Sequence, residues 1–425
     1  MKRFFCLTLA VLLAFGLLAC GGSTEKEEGG KAEKPAWAGQ FAVGYGRADV
    51  TPDHSVGMRG FGDVRQSTGV LNKLYITCIA VTDETDNTVL LCTFDCKNMG
   101  AAKLLTIREA MTAATGVPVE NIFIGATHSH STPDAIEEYV TFSAEKAALA
   151  AQDAMADRDA ATIEYAASEV PNMTFVRHYI TNKDNVVGDN FYPDGAGTRV
   201  KHTTESDKEM RIIRVNREGK KPIIMVNWMG HASTASSSWT EFGKIHRNYL
   251  TSDYVGACRE YVESKLDCNF AMFIGASGNL NVVGALDGEN KGITTPQYAE
   301  KLGNSVLSIL ETMTAGTTGN VSVETGQIET KKYGPIDVNA IGFGSIGIIT
   351  GGFEMFDTTS MAIREKSPYD VTFVMTLANG SAGYMPTKEC FGYPNCYEVR
   401  EGGFFEGTAE QAAELYTELL AKTKG

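Results

Sequence analysis

The stretch Ile122-Phe123-Ile124-Gly125-Ala126-Thr127-His128-Ser129-His130-Ser131-Thr132-Pro133 carries an apolar strand straight into a His-x-His pair and a loop broken by proline. Alternate residues of a strand share a face, so a strand continued through them would aim His128 and His130 into one pocket. Ligands of α/β sheets sit beyond the carboxyl ends of strands, where this pair falls. Taken alone, the pair is either a metal or catalytic site or two polar residues opening a loop.

The same grammar recurs along the chain. Ile223–Trp228 is an apolar strand followed by Gly230-His231-Ala232-Ser233-Thr234. Two His-bearing strand ends favour a shared site, because zinc gathers neutral imidazoles and carboxylates from separate elements. Ala271–Ile274 runs into Gly275-Ala276-Ser277-Gly278-Asn279-Leu280-Asn281, which reads as a ligand-approaching loop or a tight turn. Gly351-Gly352-Phe353-Glu354-Met355-Phe356 places an acid among apolar residues, either a buried ligand or base or a solvated loop acid. Asn379-Gly380-Ser381-Ala382-Gly383-Tyr384 follows a strand over Val371–Leu377.

Further strands are expected over Tyr75–Val81, Val89–Phe94, Arg211–Val215 and Asn269–Ile274, with strands or hairpins over Val321–Thr350. Helical patterns cover Ala101–Ala114, Ala144–Ala154, Tyr254–Leu266, Pro296–Met313 and Thr408–Lys422. The alternation predicts an α/β fold, a layered mixed sheet with flanking helices, in one domain over 41–425.

Composition narrows the classes. The 425 residues carry 52 acids against 38 bases, a net charge of −14, which argues against a nucleic-acid partner. At the N-terminus, Lys2 and Arg3 precede an apolar run to Ala19, the layout of a signal segment over 1–19. Leu17-Leu18-Ala19-Cys20 resembles the lipobox of bacterial lipoproteins, in which Cys20 carries the acyl chains. Residues 20–40 then form a polar tether. The expected location is the bacterial cell envelope, on the extracytoplasmic side of a membrane held through Cys20. Disulfides are permitted there. Cys390 and Cys396 flank a short turn and could close it, with Cys258–Cys268 the weaker pair. Cys92 and Cys96 read as buried thiols.

In order, these segments resemble the neutral (non-lysosomal) ceramidase family, specifically its N-terminal catalytic domain. The likeness begins at Gly44-Tyr45-Gly46-Arg47-Ala48-Asp49-Val50-Thr51-Pro52 and passes Met58-Arg59-Gly60-Phe61-Gly62 and Gln66-Ser67-Thr68-Gly69. Thr127–Pro133 is similar to the family's Thr-His-Thr-His-Ser-Gly-Pro. The His231 segment, Asn248–Asp253, Gly278–Asn281, Gly352–Phe356 and the Tyr384 segment follow in family order. The resemblance implies one Zn2+ held by His128, His231, Glu354 and Tyr384. It implies His130 on the substrate side, Arg177 as substrate-orienting residue and Tyr397 as substrate-binding residue. The substrate implied is a ceramide-like lipid or another N-acyl compound, hydrolysed at its amide.

One position departs from the pattern. The family's turn reads Gly-Asp-x-Ser-Pro-Asn with Ser as nucleophile, whereas Asn281 stands at the Ser position here. An amide side chain cannot act as that nucleophile. Either metal-activated water attacks with Asn281 orienting the substrate, or the substrate has changed. The alternative is a non-catalytic, ligand-binding surface lipoprotein that keeps the fold.

Overall fold

A computed structural model describes residues 35–60, 63–236 and 241–424. The signal segment, Cys20 and tether residues 20–34 lie outside the described residues. Ahead of Phe41 a turn seats Trp37 under the Arg158 guanidinium, 4.4 Å from the ring centre.

Eight strands build a large sheet: β1 (Ala42–Asp49), β2 (Tyr75–Thr82), β3 (Thr88–Phe94), β4 (Ile122–Ala126), β5 (Asp159–Glu169), β6 (Glu209–Arg217), β7 (Ile223–Trp228) and β8 (Asn269–Ile274). Their order is β8-β7-β6-β5-β1-β2-β3-β4, with the short strand Thr314–Ala315 added beside β5. A second sheet has the order β9 (Ser322–Thr330), β10 (Gly334–Phe343), β11 (Ile346–Gly351), β12 (Val371–Thr376). Most neighbours are antiparallel, but β3/β4, β7/β8 and β11/β12 are parallel.

Six longer helices flank the sheets: α1 (Ala101–Thr115), α2 (Glu137–Ala156), α3 (Asp253–Lys265), α4 (Thr295–Ile309), α5 (Asp357–Glu365) and α6 (Thr408–Lys424). Side-chain alternation explains the layering. On β2 and β3, Ile76, Cys78, Ala80, Leu90 and Cys92 pack with Ile107, Met111 and Ala147 of α1 and α2. The alternate residues Ile79, Val81, Val89 and Leu91 pack with Ile341, Phe343, Ile348 and Phe373 of the second sheet. Both faces are covered, so these strands are nearly continuous apolar runs. On the far side, Val338, Ala340 and Ile349 meet Ala412, Tyr416 and Leu419 of α6. The layers are therefore helix, sheet, sheet, helix. The expected mixed α/β layering holds, and its division into two facing sheets is what the sequence pattern did not disclose.

Two asparagines join the sheets, Asn227 fully buried and Asn379 half-buried. Asn227 on β7 donates to Phe273 O at 3.0 Å and Val374 O at 2.8 Å, and accepts from Val374 N at 3.0 Å. Asn379, just past β12, accepts from Ile124 N and donates to Ile122 O, each at 2.9 Å, capping the open edge of β4. All seven described cysteines are buried free thiols, so neither candidate disulfide is formed in this structure. The Cys396 thiol instead donates to Glu398 Oε2 at 3.2 Å.

Candidate active site

The parallel pairs matter because their carboxyl ends open on one cavity of about 730 Å³. Its walls include His128 and His130 after β4, His231 after β7, Asn281 after β8, Glu354 after β11 and Tyr384 after β12. Arg177 and Tyr397 complete the set, so all eight residues singled out from the sequence border the same space.

The His-x-His pair gets there by a different route from strand alternation. β4 stops at Ala126, and His128 takes a left-handed φ of 62°. That conformation is costly for a side chain with a Cβ and persists where surroundings impose it. Here His128 N donates to Cys96 O at 2.9 Å, and its Nδ1 donates to Lys97 O at 2.8 Å. A carbonyl only accepts, so the tautomer is set and the Nε2 lone pair faces the cavity. His231 is oriented likewise, Nδ1 meeting Ser277 O at 3.5 Å. The loops carrying the histidines are clamped by Leu250–Asp253. Ser129 Oγ donates to Thr251 O at 2.6 Å, and Asp253 accepts from Thr234 N and Ala235 N at 3.0 and 2.7 Å.

The three imidazoles cluster tightly. Ring centres of His128 and His231 are 4.5 Å apart, and His130 Nε2 lies 3.2 Å from His231 Nε2. Burial and the neighbouring His128 push His231 down to about 3, and His130 falls well below the usual histidine range for the same reasons. Both are neutral at pH 7, the state a ligand or proton acceptor needs. Glu354 and Tyr384 sit side by side, paired in register between two short parallel strands. Burial alone would raise Glu354, but His128, His231 and the Arg177 guanidinium bring it to about 2.

This donor set fits a zinc-like cation. His128 Nε2 and Glu354 Oε2 are buried and face each other at 3.4 Å, and neither has a hydrogen-bond partner among the described residues. A lone pair and a carboxylate oxygen left together away from water are costly unless something positive lies between or beside them. Imidazole nitrogens and a carboxylate oxygen are zinc donors, and ring nitrogens of His128, His130 and His231 lie within 4.8 Å of one another.

The substrate side is equally ordered. Arg177 donates to Glu398 Oε1 at 2.5 Å and to Gly278 O at 2.7 Å, with its guanidinium 5.2 Å from the Tyr384 ring centre. The Tyr397 ring is 5.6 Å from that of Tyr384. Asn281 pairs with Phe175 across a two-residue ladder and donates to Asp189 Oδ2 at 2.5 Å. Sequence reasoning missed Asp189, Glu398 and the orienting carbonyls of Lys97 and Ser277. Backbone carbonyls have no residue signature, and an acid reveals its burial only through distant partners.

Comparison with known proteins agrees with this architecture. The family model described as neutral/alkaline non-lysosomal ceramidase, N-terminal, matches residues 41–331, more than half of the chain. The crystal structure of neutral ceramidase from Pseudomonas aeruginosa superposes with a TM-score of 0.74 at 13% identity, covering 91% of this chain and 75% of that one. A structure described as ceramidase complexed with C2 gives a TM-score of 0.73 at 14% identity, with the same coverages. No curated protein matches in sequence.

Proposed function

The chain belongs to the neutral/alkaline non-lysosomal ceramidase family, and we propose that it is a zinc-dependent hydrolase of an amide in a ceramide-like lipid or related N-acyl compound. The observation that carries this is the pair of orphaned atoms, His128 Nε2 and Glu354 Oε2, beside His231 and Tyr384 in one cavity. His128, His231, Glu354 and Tyr384 would hold the ion. When bound, zinc polarises a carbonyl and lowers the pKa of water towards 7.

The chain's own residues supply the remainder. Arg177, fixed by Glu398 and Gly278 O, is a rigid cation at the cavity wall that orients the substrate carbonyl and stabilises charge developing on its oxygen. His130, neutral because it is buried, takes a proton at a ring nitrogen and returns it to the leaving amine. Tyr397 lines the cavity beside Tyr384 and packs against the substrate. Asn281 has no nucleophilic oxygen, so water is the nucleophile and Asn281 is a positioning residue.

Full-length protein should carry about one zinc per chain by mass spectrometry and release fatty acid from a short-chain N-acyl sphingoid. A chelator should abolish that release, and the His128→Ala and His231→Ala variants should lose the metal. Protein that never retains metal under any loading condition refutes the proposal. A metal-bearing protein inert on every N-acyl compound tried supports the second reading, a surface binder, which the Ser-to-Asn departure at Asn281 favours. We also propose anchoring through Cys20 on the extracytoplasmic side of a bacterial membrane, supported by the residue pattern over 1–20. Among the described residues no helix is long and apolar enough to cross a membrane. Cys20→Ala should move the protein from the membrane fraction to the soluble one.

A further inference from the structure

Asp189 belongs to no motif, yet the backbone delivers it to the cavity. Its N–H donates to Arg177 O at 3.1 Å, and Arg177 N donates to Asn279 O at 2.9 Å. These bonds lay Asp189, Arg177 and the Gly278–Asn281 turn edge to edge along one wall. A carboxylate only accepts, so the Asn281 amide is fixed with its NH2 toward Asp189 Oδ2.

The other oxygen, Oδ1, is unusual. The Asp189 side chain is 4% exposed, and Oδ1 has no hydrogen-bond partner among the described residues. Arg199 Nη2 stands 4.0 Å away, too far for a hydrogen bond. That guanidinium lies over the rings of Tyr192 and Tyr179, at 4.3 and 5.2 Å. Buried Asp253, outside the cavity, accepts from Thr234 N, Thr234 Oγ1, Ala235 N and Tyr254 N. Buried Asp95 also leaves its Oδ1 unpaired, but it does not line the cavity, whereas Asp189 does. Buried acceptors in folded proteins nearly always have a donor. Asp189 Oδ1 lacks one, and it belongs to a side chain lining the cavity that holds the histidines.

We propose that Asp189, held in place by Asn281, is a recognition group for a hydrogen-bond donor, an O–H or N–H, on the amine portion of the substrate. The inference rests on the hydrolase reading above and assigns to Asp189 the discrimination between amides whose amine portion carries such a donor and simple N-alkyl amides. A site built to pair with a donor rejects the analogue lacking it strongly, because its own acceptor is then left bare.

The test uses full-length protein and matched amides of one acyl chain whose amine portion carries a hydroxyl, an ammonium or neither. Wild type should prefer a donor-bearing substrate over the bare one by at least about tenfold in kcat/KM. The better of the two names the donor. Asp189→Ala should bring the ratio to about one, and Asp189→Asn should lower it part-way. Non-hydrolysable sulfonamide analogues of the same three amines, compared by calorimetry, give a binding readout independent of turnover. If nothing is hydrolysed but the donor-bearing analogue binds wild type tenfold tighter, the hydrolase reading fails and this inference stands. Equal treatment of all three by wild type overturns it, and needs no variant to fold. Retained preference in correctly folded Asp189→Ala, checked by circular dichroism, overturns it as well.

Discussion

Glu398 receives the Arg177 guanidinium at 2.5 Å, His178 Nε2 at 2.9 Å and the Cys396 thiol at 3.2 Å, all out of solvent. Glu398→Gln keeps the shape and strands a buried cation, a class of change costing about 3–5 kcal/mol. Its expected outcome is a lower urea midpoint and a kcat/KM reduced roughly 10- to 100-fold, with zinc content by mass spectrometry unchanged. The same cluster predicts a pH dependence. Burial alone would lower His178, but the Glu398 carboxylate outweighs it and lifts the imidazole to about 9. Protonated His178 therefore stabilises the fold fully below about pH 6.5, its unfolded value, and that stabilisation fades as pH rises through about 9. The unfolding free-energy gap between wild type and His178→Gln should be a few kcal/mol, at most about 3, at pH 6 and should close by pH 10. Asn281→Ser, which removes the donor to Asp189 and restores a hydroxyl at the turn, should change the amidase rate on short-chain ceramides. An unchanged rate across a panel of N-acyl substrates would make the turn merely structural. These residues differ in how far sequence could disclose them. His128, His231, Glu354 and Tyr384 each follow a recognisable apolar run. Glu398 was visible only as a neighbour of Tyr397, because its burial is decided by Arg177, 221 positions away.

Elements were legible where one physical signal dominated. Ile223–Trp228 and Asn269–Ile274 form strands with the expected bounds, since an apolar run buried on both faces leaves little ambiguity. α2 starts at Glu137 rather than Ala144, because Tyr139 and Val140 continue the buried face of Ala144 and Ala147 and the acidic first turn suits the positive end of a helix. The His-x-His pair reaches one cavity as expected, but not by strand alternation, because the backbone turns left-handed at His128. α2 also explains two glycines of β1. A Cβ at Gly46 would lie 2.0 Å from Ala150 O, and one at Gly44 equally close to Ala154 O. The glycine-bearing strand thus packs directly against the backbone of the alanine-rich helix. Gly46→Ala must push α2 away or bend β1, and overpacking of this kind costs about 1–3 kcal/mol or more. A urea titration should show that loss with the slope unchanged, and Gly57→Ala, which meets nothing within 4 Å, should be nearly silent.

At the scale of the molecule, the two sheets are joined by apolar packing and by a few polar stitches. Asn227 is the deepest of these. Asn227→Ala leaves Val374 N without its 3.0 Å acceptor in the interior, a loss of about 1–3 kcal/mol that differential scanning calorimetry should register as one cooperative transition at lower temperature. The proposed ion ligands are divided between the same two layers. His128 and His231 follow strands of the large sheet, whereas Glu354 and Tyr384 follow strands of the small one. A cation gripping all four would rivet the halves together, and neither half alone could keep it. Heat resistance should then climb with the logarithm of free zinc above the dissociation constant. A simple melting curve would thereby serve as a gauge of metal supply, readable before any substrate is known.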